Sequence, residues 1–148
     1  TGFNVGMDLS PQMALATERR LRKEHLEAFC AIGASDCRNI PFKNCCFETV
    51  FSCLVLELLS HDEIMRTLHE ARRVLKPGGV FILIVLGTDR GYFNSYYRVA
   101  SSLAPSLLGR QLGQAELGLL GAAGFRIEKS ASVVQRWYPT RVVVSRMT

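Results

Sequence analysis

The chain predicts an α/β fold: a doubly wound, mostly parallel sheet that finishes in an antiparallel hairpin. Three observations carry this. Residues 49–53 and 80–86 are apolar runs rich in β-formers, and the second is unbroken enough to suggest a strand covered on both faces. A single strongly signalled helix lies between them, so the two strands run parallel with a right-handed crossover. The last part of the chain instead shows two β-rich runs, 126–134 and 140–145, close enough to be joined by a turn around Tyr138-Pro139.

Taken in order, residues 3–7 form a short strand that ends at Asp8. Ser10-Pro11 is a helix start, a capping hydroxyl followed by proline at the first helical position. That helix runs to about Lys23, where Arg19, Arg20, Arg22 and Lys23 meet the negative end of the helix dipole. Residues 26–32 are the next strand, weakened by Glu27 and Ala28. Residues 33–39 are a loop closed by Ile40-Pro41-Phe42, and residues 43–46 are a turn.

The central helix begins at Ser60, with Glu63 completing a capping box and Leu59 and Ile64 placed as a hydrophobic staple. Ile64, Leu68, Ala71 and Leu75 share one helical face. Arg72, Arg73 and Lys76 crowd the last turn, and Pro77-Gly78-Gly79 stops the helix and turns the chain back. After the loop 87–91, residues 92–108 carry a rough helical stripe broken by Gly91, Pro105 and Gly109. Residues 114–123 are a helix ended by Gly124. No repeat or linker interrupts the chain, so residues 1–148 are expected to form one domain.

Composition excludes several classes. The net charge of +5 is spread in pairs at helix ends with no basic-aromatic stripe, which argues for solvated faces and against a nucleic-acid partner. The longest apolar run is too short to span a bilayer. The five cysteines, Cys30, Cys37, Cys45, Cys46 and Cys53, contain no Cys-x-x-Cys pair, and the three histidines lack metal-ligand spacing. A reducing, cytoplasmic setting and no metal are expected, and no basic-then-apolar leader precedes Asp8.

Four segments then fall in a telling order. They are Gly6-Met7-Asp8-Leu9-Ser10-Pro11-Gln12-Met13, Ser35-Asp36-Cys37-Arg38-Asn39-Ile40-Pro41-Phe42, the run from Phe47 to Leu59, and Leu75-Lys76-Pro77-Gly78-Gly79. Together they resemble the class I S-adenosylmethionine-dependent methyltransferases, most closely the small-molecule branch with its Rossmann-like sheet. Ala122-Ala123-Gly124-Phe125 resembles the end of that family's last helix.

The resemblance implies S-adenosylmethionine as cofactor. It implies that Asp8 accepts the ribose hydroxyls, that Leu9 and Met13 cover the adenine, and that Asp36 accepts from the adenine amino group while Cys37 offers its backbone N–H. Ser52, Cys53 and Leu54 would line the methionine part and the methyl group. Read without the resemblance, Asp8 shapes a turn, Asp36 is a loop acid and Cys53 is a small hydrophobe. Glu57 and His61 are the candidate general bases, against plain roles as a helix-end acid and a first-turn residue.

No Asn/Asp-Pro-Pro-Tyr/Phe tetrad follows Ser52, which argues against nucleobase amines as acceptors. Tyr92 and Tyr96, beside Arg90 and Arg98, would suit an apolar acceptor with a polar or anionic head, such as a quinone precursor or an aminolipid, and allow peripheral membrane contact. The same stripe reads equally as a helix packed on the sheet.

The family's first strand and glycine-rich loop are expected about 20 residues before Asp8, as in other nucleotide-binding βαβ units, and are absent from this sequence. The first residue is Thr1 rather than Met, so the natural amino end is expected upstream. A partial domain with low stability and little cofactor affinity follows. Without that strand, the sheet is expected either to be interrupted or to pair the Val5 strand with the Val50 strand. A non-catalytic methyltransferase-like binding or interaction protein is the alternative function. A nicotinamide dehydrogenase would need a Gly-x-Gly-x-x-Gly loop, equally absent, and leaves Ile-Pro-Phe and Lys-Pro-Gly-Gly unexplained. Oligomeric state and the acceptor atom are not encoded in any motif.

Overall fold

A computed structural model describes residues 2–86, 114–135 and 138–148, which form two compact units, Thr1–Phe42 and Lys43–Thr148. The first unit contains β1 (Asn4–Asp8), α1 (Pro11–Lys23) and β2 (Cys30–Ala34). The strands pair in parallel, Asn4 opposite Cys30 through Asp8 opposite Ala34, and α1 is their crossover. Ser10 caps α1 as its sequence demands, with its hydroxyl accepting from the Met13 N–H at 3.3 Å.

The expected strand at 26–32 starts four residues late. His25 adopts a φ of 56°, and the Leu26 N–H returns to the Leu21 carbonyl at 2.9 Å, so the chain is still closing the helix. The strand begins only at Cys30, where Asn4 offers a ladder partner.

The second unit contains β3 (Phe47–Cys53), a short 3-10 helix (Leu56–Leu58), α2 (His61–Val74), β4 (Leu75–Leu86), α3 (Gln114–Ala122), β5 (Phe125–Gln135) and β6 (Tyr138–Met147). Its sheet has the order β3-β4-β6-β5, parallel between β3 and β4 and antiparallel in the other two ladders. The closing hairpin is therefore β5–β6, and both strands run further than the sequence pattern suggested. Among the described residues β1 pairs with β2 in the first unit and β3 with β4 in the second.

The capping box at α2 forms in both directions: the Glu63 N–H donates to Ser60 Oγ at 3.4 Å, and the Ser60 N–H donates to Glu63 Oε2 at 2.8 Å. Strand β4 follows α2 without a gap. Its Lys76–Gly79 stretch bulges out between the pairs Phe47–Leu75 and Thr49–Val80. A Cβ at Gly79 would sit 2.8 Å from the Lys76 carbonyl oxygen, so only glycine lets the chain fold this tightly there. Gly124 ends α3 with a φ of 83°, the left-handed conformation expected of a helix-terminating glycine.

Ile64, Leu68 and Ala71 of α2 close over Phe81, Leu83 and Val85 of β4, with Leu117 and Leu120 of α3 and Val143 of β6 completing the core. The other face of β4, Val80, Ile82, Ile84 and Leu86, is only half-buried. The unbroken apolar run thus serves one sealed face and one partly covered face. No helix among the described residues is long and apolar enough to cross a membrane.

Candidate functional site

In the first unit the candidate residues gather at the carboxyl ends of β1 and β2. Asp8 is the last residue of β1, and its carbonyl accepts the Ser35 N–H at 2.9 Å, which ties the two strand ends together. Asp36 follows two residues beyond Ala34, so both acids stand at the same strand edge. The half-buried Asp8 uses Oδ1 to accept the Ser10 N–H at 2.8 Å, an Asx turn that feeds the chain into α1. Its Oδ2 has no hydrogen-bond partner among the described residues. Leu9 is 69% exposed and Met13 56% exposed, so apolar surface is presented within that turn and in the first turn of α1.

Asp36 is engaged by Arg38, a residue to which the sequence motif assigns no role. Arg38 Nη2 donates to Asp36 Oδ2 at 2.7 Å, and Arg38 Nε donates to both carboxylate oxygens at 2.9 and 3.0 Å. The Arg38 backbone N–H adds a further bond to Oδ1 at 2.9 Å. These bonds from Arg38 hold the Asp36 carboxyl below the usual aspartate range. The signal was present as an acid and a base two residues apart, but only the turn geometry makes them chelate. Cys37 is half-buried between them.

The remaining candidates lie in the second unit, at the carboxyl ends of β3 and β4. Cys53 ends β3, and Leu54 after it adopts a φ of 55°, uncommon for a branched side chain. The Leu54 N–H still donates to the Ile84 carbonyl at 2.9 Å. Cys53 is exposed rather than the small buried hydrophobe of its plain reading. Partial desolvation and the nearby Glu57 carboxyl push its thiol up.

Glu57 is 3% exposed. Its Oε1 accepts the Leu86 N–H at 2.7 Å, while Oε2 is enclosed without a hydrogen-bond partner among the described residues. Burial pushes its carboxyl above the usual glutamate range, and the Leu86 N–H opposes that push. Glu57 is thus neither the solvated nor the ion-paired helix-end acid of its plain reading. His61 is the exposed first residue of α2. Tyr92 and Tyr96 lie outside the described residues. A shallow cleft lined by Glu18, Leu21, Cys30 and Ile32 sits beside α1 and β2 and includes none of the candidate residues. Among the described residues no group of His, Cys, Asp and Glu side chains could hold a metal ion.

Comparison with known proteins bears on the family and the fold. The family described as "Methyltransferase domain" matches residues 3–83. The sterol 4-C-methyltransferase strm-1 of Caenorhabditis elegans is 30% identical over 89 residues, covering 60% of this chain and 26% of that protein. An uncharacterised protein of Methanocaldococcus jannaschii is 32% identical over 81 residues, covering 55% of this chain and 29% of that one. The chain therefore spans between a quarter and a third of the length of these curated relatives.

Among solved structures, a SAM-dependent methyltransferase from Methanosarcina mazei superposes with a TM-score of 0.80 at 17% identity, over 99% of this chain and 82% of that one. The magnesium protoporphyrin IX methyltransferase of Synechocystis, solved with bound SAH, gives a TM-score of 0.77 at 18% identity, over 99% of this chain and 64% of that one. The fold is the Rossmann-like methyltransferase fold.

Proposed function

The chain belongs to the methyltransferase domain family, the class I S-adenosylmethionine-dependent enzymes, and from that premise we propose that it serves methyl transfer to a small, apolar or lipid-like acceptor of the quinone-precursor or aminolipid type. The observation that carries this reading is Asp8, which ends a parallel strand, spends Oδ1 on its own turn and, among the described residues, has no hydrogen-bond partner at Oδ2. These groups fit an adenosyl group: a carboxylate oxygen to accept from the ribose hydroxyls, with the exposed Leu9 and Met13 nearby in sequence for the adenine.

Bound, S-adenosylmethionine supplies a methyl group on a sulfonium, activated for in-line displacement. The work left to the protein is alignment and exclusion of water. In the first unit Asp8, Leu9 and Met13 would hold the adenosine, and Asp36 and the Cys37 backbone N–H would address the adenine edge; in the second, Cys53 and Leu54 would line the methionine side. His61, exposed at the start of α2, takes the proton when the acceptor has one to lose. Glu57 was the other candidate base; its enclosed carboxyl is better placed for the supporting role argued below. Tyr92 and Tyr96 are proposed to cover the acceptor. A cytoplasmic setting suits five free thiols, and a net charge of +5 suits peripheral contact with an anionic membrane surface carrying a lipid acceptor.

One observation favours the non-catalytic alternative: Arg38 already occupies the carboxylate that the adenine amino group would use. The two readings separate in one titration. Adenosine and S-adenosylhomocysteine are added at millimolar concentration to isotope-labelled chain, and backbone amide shifts are followed, a readout that tolerates weak affinity. Methyl-donor binding moves the amides of residues 8–10, 12, 13 and 36–38 together, and Arg38→Ala enlarges the response at Asp36. Silence at those amides for the parent chain and for Arg38→Ala alike refutes the donor site and leaves the binding-protein reading.

A further inference from the structure

Strand β4 offers β3 its backbone groups in alternation, and the Ile84 carbonyl taking the Leu54 N–H sets the parity. Two residues on, the Leu86 N–H faces the same side, and in a continuing parallel ladder the Leu54 carbonyl would accept it. The left-handed φ of 55° at Leu54 turns the chain out of the strand there. The acceptor that stands in is Glu57 Oε1, at 2.7 Å from the Leu86 nitrogen. The Cys53–Leu54 turn is thereby bracketed on β4 by two hydrogen bonds, one before the turn and one after it.

We propose that Glu57 is a positioning residue: its carboxyl satisfies the β4 donor that the Leu54 carbonyl would otherwise bind, and so holds Leu54 in the left-handed conformation that presents the Cys53–Leu54 peptide at the sheet's carboxyl edge. A branched residue persists in that conformation only where its surroundings over-determine it. Glu57 is 3% exposed, and among the described residues its second oxygen has no hydrogen-bond partner. The inference rests on the reading that the Cys53–Leu54 turn faces the methyl donor.

The test uses the labelled chain. In the parent protein the Leu86 amide proton shift is expected to titrate together with the Glu57 side-chain carboxyl carbon. In Glu57→Ala, Leu54 carbon shifts are expected to move from left-handed to extended values as its carbonyl recaptures Leu86. Amide exchange at Leu86 rises roughly tenfold or more where the bond is lost rather than replaced. Glu57→Gln keeps an acceptor oxygen and restores the left-handed shifts.

A Leu54 that stays left-handed in Glu57→Ala overturns the proposal. Should that variant fail to fold, a Leu86 amide in the parent chain that ignores the Glu57 titration overturns it equally. Addition of S-adenosylhomocysteine separates the two layers. A clamp that behaves as expected while the Cys53 and Leu54 amides ignore the ligand refutes the donor-facing reading and not the clamp.

Discussion

Asp8 performs two tasks that substitution can separate. Its Oδ1 holds the Ser10 N–H at 2.8 Å, while Oδ2 is the oxygen assigned to the ribose. Replacing Asp8 by Ala removes the turn bond, worth about 1 kcal/mol at a half-exposed site. It also removes a negative charge just before α1, worth about 0.3–0.5 kcal/mol. With a urea m-value of about 1 kcal/mol/M for a small unit, the midpoint should fall by roughly 1 M or somewhat more. Asp8→Asn keeps the Oδ1 acceptor and loses only the charge, so its midpoint should lie within about 0.5 M of the parent.

Binding should rank the same variants differently. A carboxylate accepts both ribose hydroxyls, whereas Asn has one acceptor oxygen and no charge. The loss of one charge-assisted hydrogen bond weakens adenosine binding roughly tenfold or more. Urea melts followed by circular dichroism, paired with amide-shift titrations, read both quantities on the same samples. Asn binding adenosine like the parent would refute the ribose assignment. Asn destabilising as much as Ala would show that the charge, not the acceptor oxygen, makes the turn.

Three further outcomes are expected. Ser60→Ala removes the hydroxyl that accepts the Glu63 N–H and should destabilise the second unit by about 1 kcal/mol in urea melts, with Ser60→Asp close to the parent. Leu68→Ala, at a site 1% exposed beneath β4, should cost about 2–5 kcal/mol, a large share of a domain's total, and a melt shifted by less than about 1 kcal/mol would contradict the core described here. Stability should also depend on pH in two directions. Burial holds Glu57 above its unfolded value, so the native state binds the extra proton, and stability falls as pH rises from the unfolded value through the folded one. Asp36, Glu48 and Glu128 are held below theirs by Arg38, Lys76 and Arg146, so their contribution is present above the unfolded values and is lost as pH falls through the folded ones. Glu57→Gln should therefore flatten the decline on the higher-pH side and leave the acid side unchanged, as read from melts across a pH series.

What the sequence determined by itself is the part of the molecule whose physics is local. Ser10-Pro11 and the Ser60–Glu63 box caps α1 and α2 because each partner lies within three residues, and Gly124 ends α3 because its own φ allows it. The parallel crossover through α2 and the placement of Asp8, Asp36, Cys53 and Leu54 at strand ends were legible on a different ground, because a helix between two apolar runs fixes how strands can connect. The tertiary structure decided everything that needs a partner distant along the chain. Strand β2 starts at Cys30 because Asn4 is there to pair with it, and β4 begins at Leu75 because Phe47 faces it. Glu57 reads as an ordinary acid until β4 brings the Leu86 N–H to it from 29 residues away. No periodicity encodes that approach, because burial and hydrogen-bond satisfaction belong to the packed chain and not to any window of it.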